Sequence, residues 1–318
     1  MHYRKLGRSG LEVSEVSLGS WLTLGSSVDR GGTAEIVERA WELGINFFDT
    51  ADVYANGEAE EALGRALGAI PRRYLVIATK CFFPMSEYPN DRGLSRKHVV
   101  ESVHDSLRRL GTDYLDLHQC HRPDPGTPVE ETVRAYEDLI RQGKVLYWGV
   151  SEWSGAQIAE ACRIADATHA YRPISNQPQY NVFRRGIEAE VLPTCEREGV
   201  GQVVFSPLAQ GVLSGKYRPG HRPAGSRAAD DFRNQFMNAF LRDDVLAQVE
   251  ALRPLAEELG VTLSQLALAW CLRQTGVASV IVGVTRISQL EDNVAAAGLQ
   301  LPEQISSKID AIAPAVPQ

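Results

Sequence analysis

Four residues able to hold or move a proton stand just where apolar runs end. Asp49 and Tyr54 follow INFF, Lys80 follows VIAT, and His121 follows DLHQC. A tyrosine titrates near pH ~10, too high to be a ready acid at neutral pH. A lysine ammonium beside it favours the phenolate and is expected to lower that value. An aspartate paired with the lysine would hold it in place. A histidine opposite would orient a carbonyl or join the proton relay. Such a set delivers a proton to a carbonyl oxygen while hydride reaches the carbon. No side chain supplies hydride, so the pattern implies a nicotinamide cofactor. Taken singly, each residue has a plainer role. Asp49 would satisfy loop amides, Lys80 would snorkel to water, His121 would be structural and Tyr54 would pack in a loop. The conjunction at neighbouring run ends carries the chemical reading.

These positions need a scaffold that gathers run ends on one side. Short apolar runs lie at 15–21, 45–51, 74–81, 114–121, 145–151, 174–180, 200–207 and 277–284. Amphipathic stretches separate them, at 33–44 (Thr33 as N-cap, Gly44 past the end), 58–70, 95–111 (opening on Ser95, closing on Gly111), 129–143, 154–167 and about 187–198. After 207 come an aperiodic Gly-, Pro- and Arg-rich segment, 208–242, and two helices at 243–259 and 262–274. Two more helices follow the last strand, at about 286–297 and 302–313. Strands this apolar are buried on both faces, as in parallel sheets. Eight strand–helix units predict an α/β fold, a (β/α)8 TIM barrel, as a single domain over 1–318 with extra helices near the C-terminus. Residues 3–17 are expected to form an N-terminal β-hairpin closing the barrel bottom. A doubly wound open sheet is the alternative, but the glycines of EVSLGSWLTLG have the wrong spacing for its dinucleotide fingerprint. In the barrel the active site lies at the C-terminal strand ends, which selects Trp21, Asp49, Tyr54, Lys80, His121, Ser151, Gln177, Phe205, Gly283 and Thr285.

Composition excludes other classes. A net charge of −7 argues against a nucleic-acid footprint. No apolar run approaches the ~18 residues of a membrane span, and MHYRKLGRSGLEVSE lacks a signal peptide's apolar centre. Five scattered cysteines without a CxxC pair fit reduced thiols, so a cytoplasmic protein is expected. HQCH, 118–121, offers metal-ligand types, but strand alternation turns 118 and 120 away from 121, so no metal is expected. GVLSGKY, 211–217, falls short of a Walker A loop by one residue of spacing and by Tyr217 at the magnesium position. Cys81 and Cys120 are expected to pack in the core. Trp21, Phe82, Phe83, Tyr88 and Trp153, at or beyond strand exits, predict an aromatic-walled pocket for aromatic or medium-sized carbonyl substrates.

The segments INFFDTADVY, VIATK, DLHQCHRPDP, YWGVSEWS, SNQPQYN, FSPLAQGVLSGKY and VGVTRISQLEDN, in order along the whole chain, resemble the aldo-keto reductase superfamily. They look most like the branch containing the potassium-channel β-subunits and their bacterial relatives. The resemblance implies the same barrel and a catalytic tetrad of Tyr54 (general acid), Lys80 and Asp49 (tuning it) and His121 (polarising the carbonyl). It implies a nicotinamide cofactor lying across the barrel mouth. Ser20, Trp21, Asp49, Ser151, Gln177 and Gly283 would lie along it, with Phe205 as the stacking ring. Ser206, Leu208, Lys216 and Arg227 would form a strap over the pyrophosphate, Pro207 would belong to the cofactor site beside them, and Gln289, Asp292 and Asn293 would meet the adenosine. Glu152 stands where many relatives carry Asn or Arg. Thr285 and Arg286 open the last barrel helix, where a cation opposes the helix dipole unless an anion binds. That favours NADP(H), through its 2′-phosphate, over NAD(H).

The leading expectation is an NADPH-dependent carbonyl reductase acting on a small molecule. The second is a cofactor-sensing regulatory subunit. The channel subunits carry Asn where this chain has His121, and the chain has no long N-terminal extension of the inactivating kind, so the enzyme is favoured. A third, aldol cleavage through a Lys80 Schiff base, would need no cofactor. Relatives occur as monomers and as ring-like tetramers or octamers, so a homo-oligomer is possible on this reading.

Overall fold

The structure, a computed structural model, describes residues 1–223, 225–230 and 234–314. The chain opens with β1 (Tyr3–Lys5) and β2 (Glu12–Ser14), paired antiparallel as the expected hairpin. Eight parallel strands then alternate with helices. In chain order they are β3 (Val16–Gly19), α1 (Arg30–Glu42), β4 (Phe47–Asp49), α2 (Glu58–Leu67), β5 (Val76–Cys81), α3 (Arg96–Leu110), β6 (Leu115–Cys120) and α4 (Val129–Arg141). The second half holds β7 (Val145–Ser151), α5 (Gly155–Thr168), β8 (Ser175–Gln177), α6 (Val191–Glu198), β9 (Gly201–Val204), α7 (Asp243–Glu258), α8 (Leu263–Leu272), β10 (Val277–Val282), α9 (Ile287–Val294) and α10 (Glu303–Ile312). β10 pairs with both β3 and β9, and this closes the barrel predicted from the alternation.

Strand alternation creates two cores. Val76 and Ala78 of β5 point inward, with Phe47, Leu117, Val203, Ala278 and Ile281. Ile77 and Cys81 point outward, against the helices. Leu6 and Val13 of the hairpin join the inner cluster and plug the barrel bottom. Arg4 fastens the hairpin by donating to the carbonyls of Leu272 (2.8 Å) and Val277 (2.9 Å) and to Glu15. Gly7, at φ +61°, lets the turn press on the sheet; a Cβ there would come within 2.4 Å of the Gly199 carbonyl oxygen.

Helix ends follow local chemistry. Ser95 accepts from the His98 amide (3.2 Å), and Gly111 ends α3 in the left-handed region at φ +65°. Ser154 and Thr262 close capping boxes with Gln157 and Gln265. The expected start of α1 is corrected. Asp29, not Thr33, is its N-cap, and accepts from the Gly32 amide at 2.8 Å. The two glycines of the first turn are tolerated because the Asp29 cap satisfies the amide there. α6 begins at Val191, with a separate single turn at Gly186–Glu188. Between 208 and 242 the described residues form only short turns, at Ala209–Ser214, Arg227–Ala229 and Asn234–Phe236. No single described helix is long and apolar enough to cross a membrane.

Candidate active site

Lys80 belongs to the inward set of β5, one step above Ala78, and is fully buried. Its ammonium donates to Asp49 Oδ2 (2.7 Å) and to the Thr50 carbonyl (2.6 Å). Gln177 Nε2 donates to the other Asp49 oxygen at 2.9 Å. Both carboxylate oxygens are therefore used, and Asp49 joins the ends of β5 and β8. The neighbouring exits are tied by backbone bonds: Asp52 N to Lys80 O (3.1 Å) and His121 N to Cys81 O (3.0 Å).

Tyr54 lies past the strand, so the loop must bring it back. It does so through a tight turn, Tyr54–Gly57, with Ala55 (φ 48°) and Asn56 (φ 51°) left-handed. Gly57 (φ 93°) then opens α2, packed so closely on Arg109 that a Cβ would meet its Cδ at 2.8 Å. The Lys80 ammonium sits 5.2 Å from the Tyr54 ring centre. The His121 ring meets Tyr54 edge-on at 5.6 Å and Phe83 edge-on at 4.9 Å.

Electrostatics corrects one expectation. Lys80 does pull the Tyr54 pKa down, but the net direction is up. Burial is the largest influence, and the Asp49 charge adds to it. Tyr54 therefore stays protonated at neutral pH. For Lys80, burial pulls downward, but Asp49 and Tyr54 together raise it, so the ammonium stays charged. Burial, with Lys80 and Arg122 nearby, holds His121 well below the ordinary imidazole value, so it is neutral.

Behind this group lies Asp52, fully buried, accepting from Ser102 Oγ (3.0 Å) and the Val53 amide (2.6 Å). Burial and then Glu60 raise it to about 7. The raised pKa favours the fold at low pH, and that contribution is lost as pH rises from the unfolded value of about 4 through about 7. The slope is up to about 1.4 kcal/mol per pH unit. Asp52→Asn should remove it, so the variant should gain stability relative to the native protein between pH ~5 and ~7. Urea unfolding at both pH values checks this; parallel changes would refute it.

One cavity of about 1550 Å³ covers the barrel mouth. Asp49, Tyr54 and His121 line it, while Lys80 sits beneath. Ser20, Trp21, Ser151, Gln177, Phe205, Ser206, Pro207, Leu208, Lys216, Arg227, Gly283, Thr285, Arg286, Gln289, Asp292 and Asn293 line it too. Of the expected aromatic wall, Trp21 and Phe83 line the cavity, but Phe82, Tyr88 and Trp153 do not. Trp153 is packed in the outer core, Phe82 leans on that core, and Tyr88 is 77% exposed.

The cavity suits an extended dinucleotide. It exceeds the ~300–1,000 Å³ of ordinary small-molecule sites. Its polar groups are sorted by position: proton donors lie at the strand exits, and Lys216, Arg227 and Arg286 in the loop and helix segments beyond. Among the described residues no carboxylate pairs with Arg286, although most arginines here have such a partner. The 208–242 segment is braced over the mouth. Gln210 Nε2 donates to Ser206 Oγ (3.0 Å), and Arg227 hydrogen-bonds to Gln210. The Arg227 guanidinium lies 5.8 Å from the Trp21 ring centre, and Phe236 meets that ring edge-on at 5.0 Å. Asp292 already accepts from Thr262 Oγ1 (3.1 Å) and Gln265 Nε2 (2.8 Å), which ties α9 to α8.

Backbone strain gathers at the same place. Of eight described non-glycine residues with positive φ, seven lie in the mouth loops: Leu22, Ala55, Asn56, Glu152, Ser206, Ala209 and Gln210. Such strain persists where surrounding structure holds it, commonly at functional sites. The sequence reading missed Arg122, Gln179 and Gln210, which also line the cavity. Arg122 had a signal, as the residue next after a strand-exit histidine. His118 and Cys120 face outward to the Tyr136 hydroxyl, at 2.8 and 3.8 Å, while His121 faces the cavity, so the three do not converge.

A profile of the Aldo/keto reductase family matches residues 15–314. The chain is 49% identical over 299 residues to a "Probable voltage-gated potassium channel subunit beta" of Arabidopsis thaliana, covering 93% of this chain and 91% of that protein. It is 46% identical to a protein of the same description from Oryza sativa subsp. japonica, covering 100% and 98%. It is 43% identical to a "Putative voltage-gated potassium channel subunit beta" of Schizosaccharomyces pombe, covering 98% and 92%.

Proposed function

Since the chain belongs to the aldo/keto reductase family, an oxidoreductase family, we propose that it reduces aldehydes or ketones to alcohols with NADPH, Tyr54 acting as the general acid. The observation that carries this reading is the Tyr54–Lys80–Asp49 group with His121, set in one cavity with Lys216, Arg227 and Arg286. When bound, the nicotinamide supplies hydride to the carbonyl carbon.

The chain's residues do the rest. Neutral His121 orients the carbonyl oxygen and has no second proton to give. Tyr54, protonated, passes its phenolic proton to that oxygen as charge builds there. The Lys80 ammonium stabilises the phenolate left behind, and Asp49, braced by Gln177, keeps Lys80 in line. Ser151 and Gln177 would hold the carboxamide, and Phe205 would offer it a stacking face. Lys216 and Arg227 would meet the pyrophosphate. Arg286, without a carboxylate partner among the described residues, would meet the 2′-phosphate, which favours NADPH over NADH. All five cysteines are free and buried, which fits a reducing, cytoplasmic setting.

The relatives' descriptions favour a second reading, a cofactor-responsive subunit of a larger assembly with slow turnover. Absorbance of NADPH with 4-nitrobenzaldehyde separates the two, with NADH as control. Rapid NADPH oxidation is expected. Tight NADPH binding with no oxidation would favour the subunit reading.

A further inference from the structure

Arg122 is the cation nearest the reacting groups that the chemistry above leaves without work. It follows His121 directly and lines the cavity with Tyr54 and Phe83. Its Nη1 donates to the His121 carbonyl at 2.5 Å, and its guanidinium carbon lies 5.6 Å from the Phe83 ring centre. Those two contacts fix one edge and one face, and the guanidinium has further N–H groups to offer. Among the described residues no carboxylate pairs with it. Glu152 stands at the exit of the next strand, but its carboxylate turns to the Gln179 amide (2.5 Å). Asp124 is taken by the Leu94 and Gly126 amides and the Thr127 hydroxyl. Arg122 lines the same cavity as Tyr54 and His121, where a carbonyl would be held.

A fixed, partly buried, unpaired guanidinium is suited to bidentate capture of a planar anion. We propose that Arg122 determines substrate specificity by binding a carboxylate a few bonds from the carbonyl carbon, so that keto acids and aldehyde acids are preferred over neutral carbonyl compounds. Trp21 and Phe83 line the same cavity and leave an apolar face for the rest of such a substrate. The proposal rests on the reductase reading, and the test keeps the two apart.

The test compares 2-carboxybenzaldehyde with its methyl ester, in the native protein and in Arg122→Met and Arg122→Lys. The native protein should prefer the acid. In Arg122→Met the acid-to-ester ratio of kcat/KM should fall roughly 10- to 150-fold, chiefly through KM, with Arg122→Lys in between. A ratio unchanged by Arg122→Met, or a native preference for the ester, overturns the proposal. If neither compound is reduced, the reductase reading fails, and phthalate titrated onto NADPH-loaded protein decides the anion site. Binding that weakens by a similar factor in Arg122→Met supports the proposal. No binding, or equal binding in both proteins, overturns it.

Discussion

Tyr54→Phe should lose ~10²–10⁴ in kcat for NADPH-dependent carbonyl reduction, with little change in KM or in folding. The phenyl ring keeps the edge contact with His121 and the ammonium over its face. Only the hydroxyl goes. No other group in the cavity replaces it, because Lys80 is held charged by Asp49 and His121 is held neutral by burial. The raised pKa of Tyr54 sets the sign of the pH dependence in the native protein. Reduction needs the protonated phenol, so the rate should stay level from neutral into alkaline pH, and fall only above the ordinary phenol value of about 10. Steady-state kinetics across pH, with thermal unfolding alongside, measure both effects. A variant that keeps the native kcat would remove Tyr54 from the chemistry.

Lys80→Met carries the second large effect, on stability and activity together. The ammonium and the Asp49 carboxylate are both buried, at 0% and 4% side-chain exposure. Removing the cation leaves an uncompensated buried charge, which costs about 3–5 kcal/mol. The Thr50 carbonyl loses a donor as well. Lys80→Met with Asp49→Asn should recover part of the stability, because a neutral amide no longer needs the cation, but none of the activity. Urea unfolding of the single and double variants gives the comparison. A single variant within about 1 kcal/mol of the native protein would show that the pair is not the buried ion pair described here.

What could be read from the sequence, and what could not, follows from how far each feature depends on neighbours in space. The eight strands were visible because each is buried on both faces and reads as a short apolar run. Asp49, Lys80 and His121 were visible because they interrupt such runs at the end. Tyr54 was less direct. Its return to the site depends on left-handed Ala55 and Asn56, residue types that give weak notice of that conformation. The net direction of its pKa shift needed the depth of burial, which no local pattern holds. Phe82, Tyr88 and Trp153 misled because proximity in sequence to a strand exit does not fix which way the chain turns next. Asp29 lost to Thr33 as a cap because the intervening glycines hid the true first turn of α1. Arg122 had one local mark, its place next to His121, but its lack of a carboxylate partner among the described residues is a property of the folded surroundings.

The most direct test of the account is a single turnover. Protein loaded with one equivalent of NADPH is mixed with excess 4-nitrobenzaldehyde, and absorbance is followed for the native chain and for Tyr54→Phe. The account predicts rapid oxidation of the bound equivalent in the native protein. In the variant, which should bind the cofactor equally well, it predicts oxidation slowed ~10²-fold or more. Equal rates in the two proteins would contradict it, as would a native protein that holds NADPH tightly and leaves it reduced.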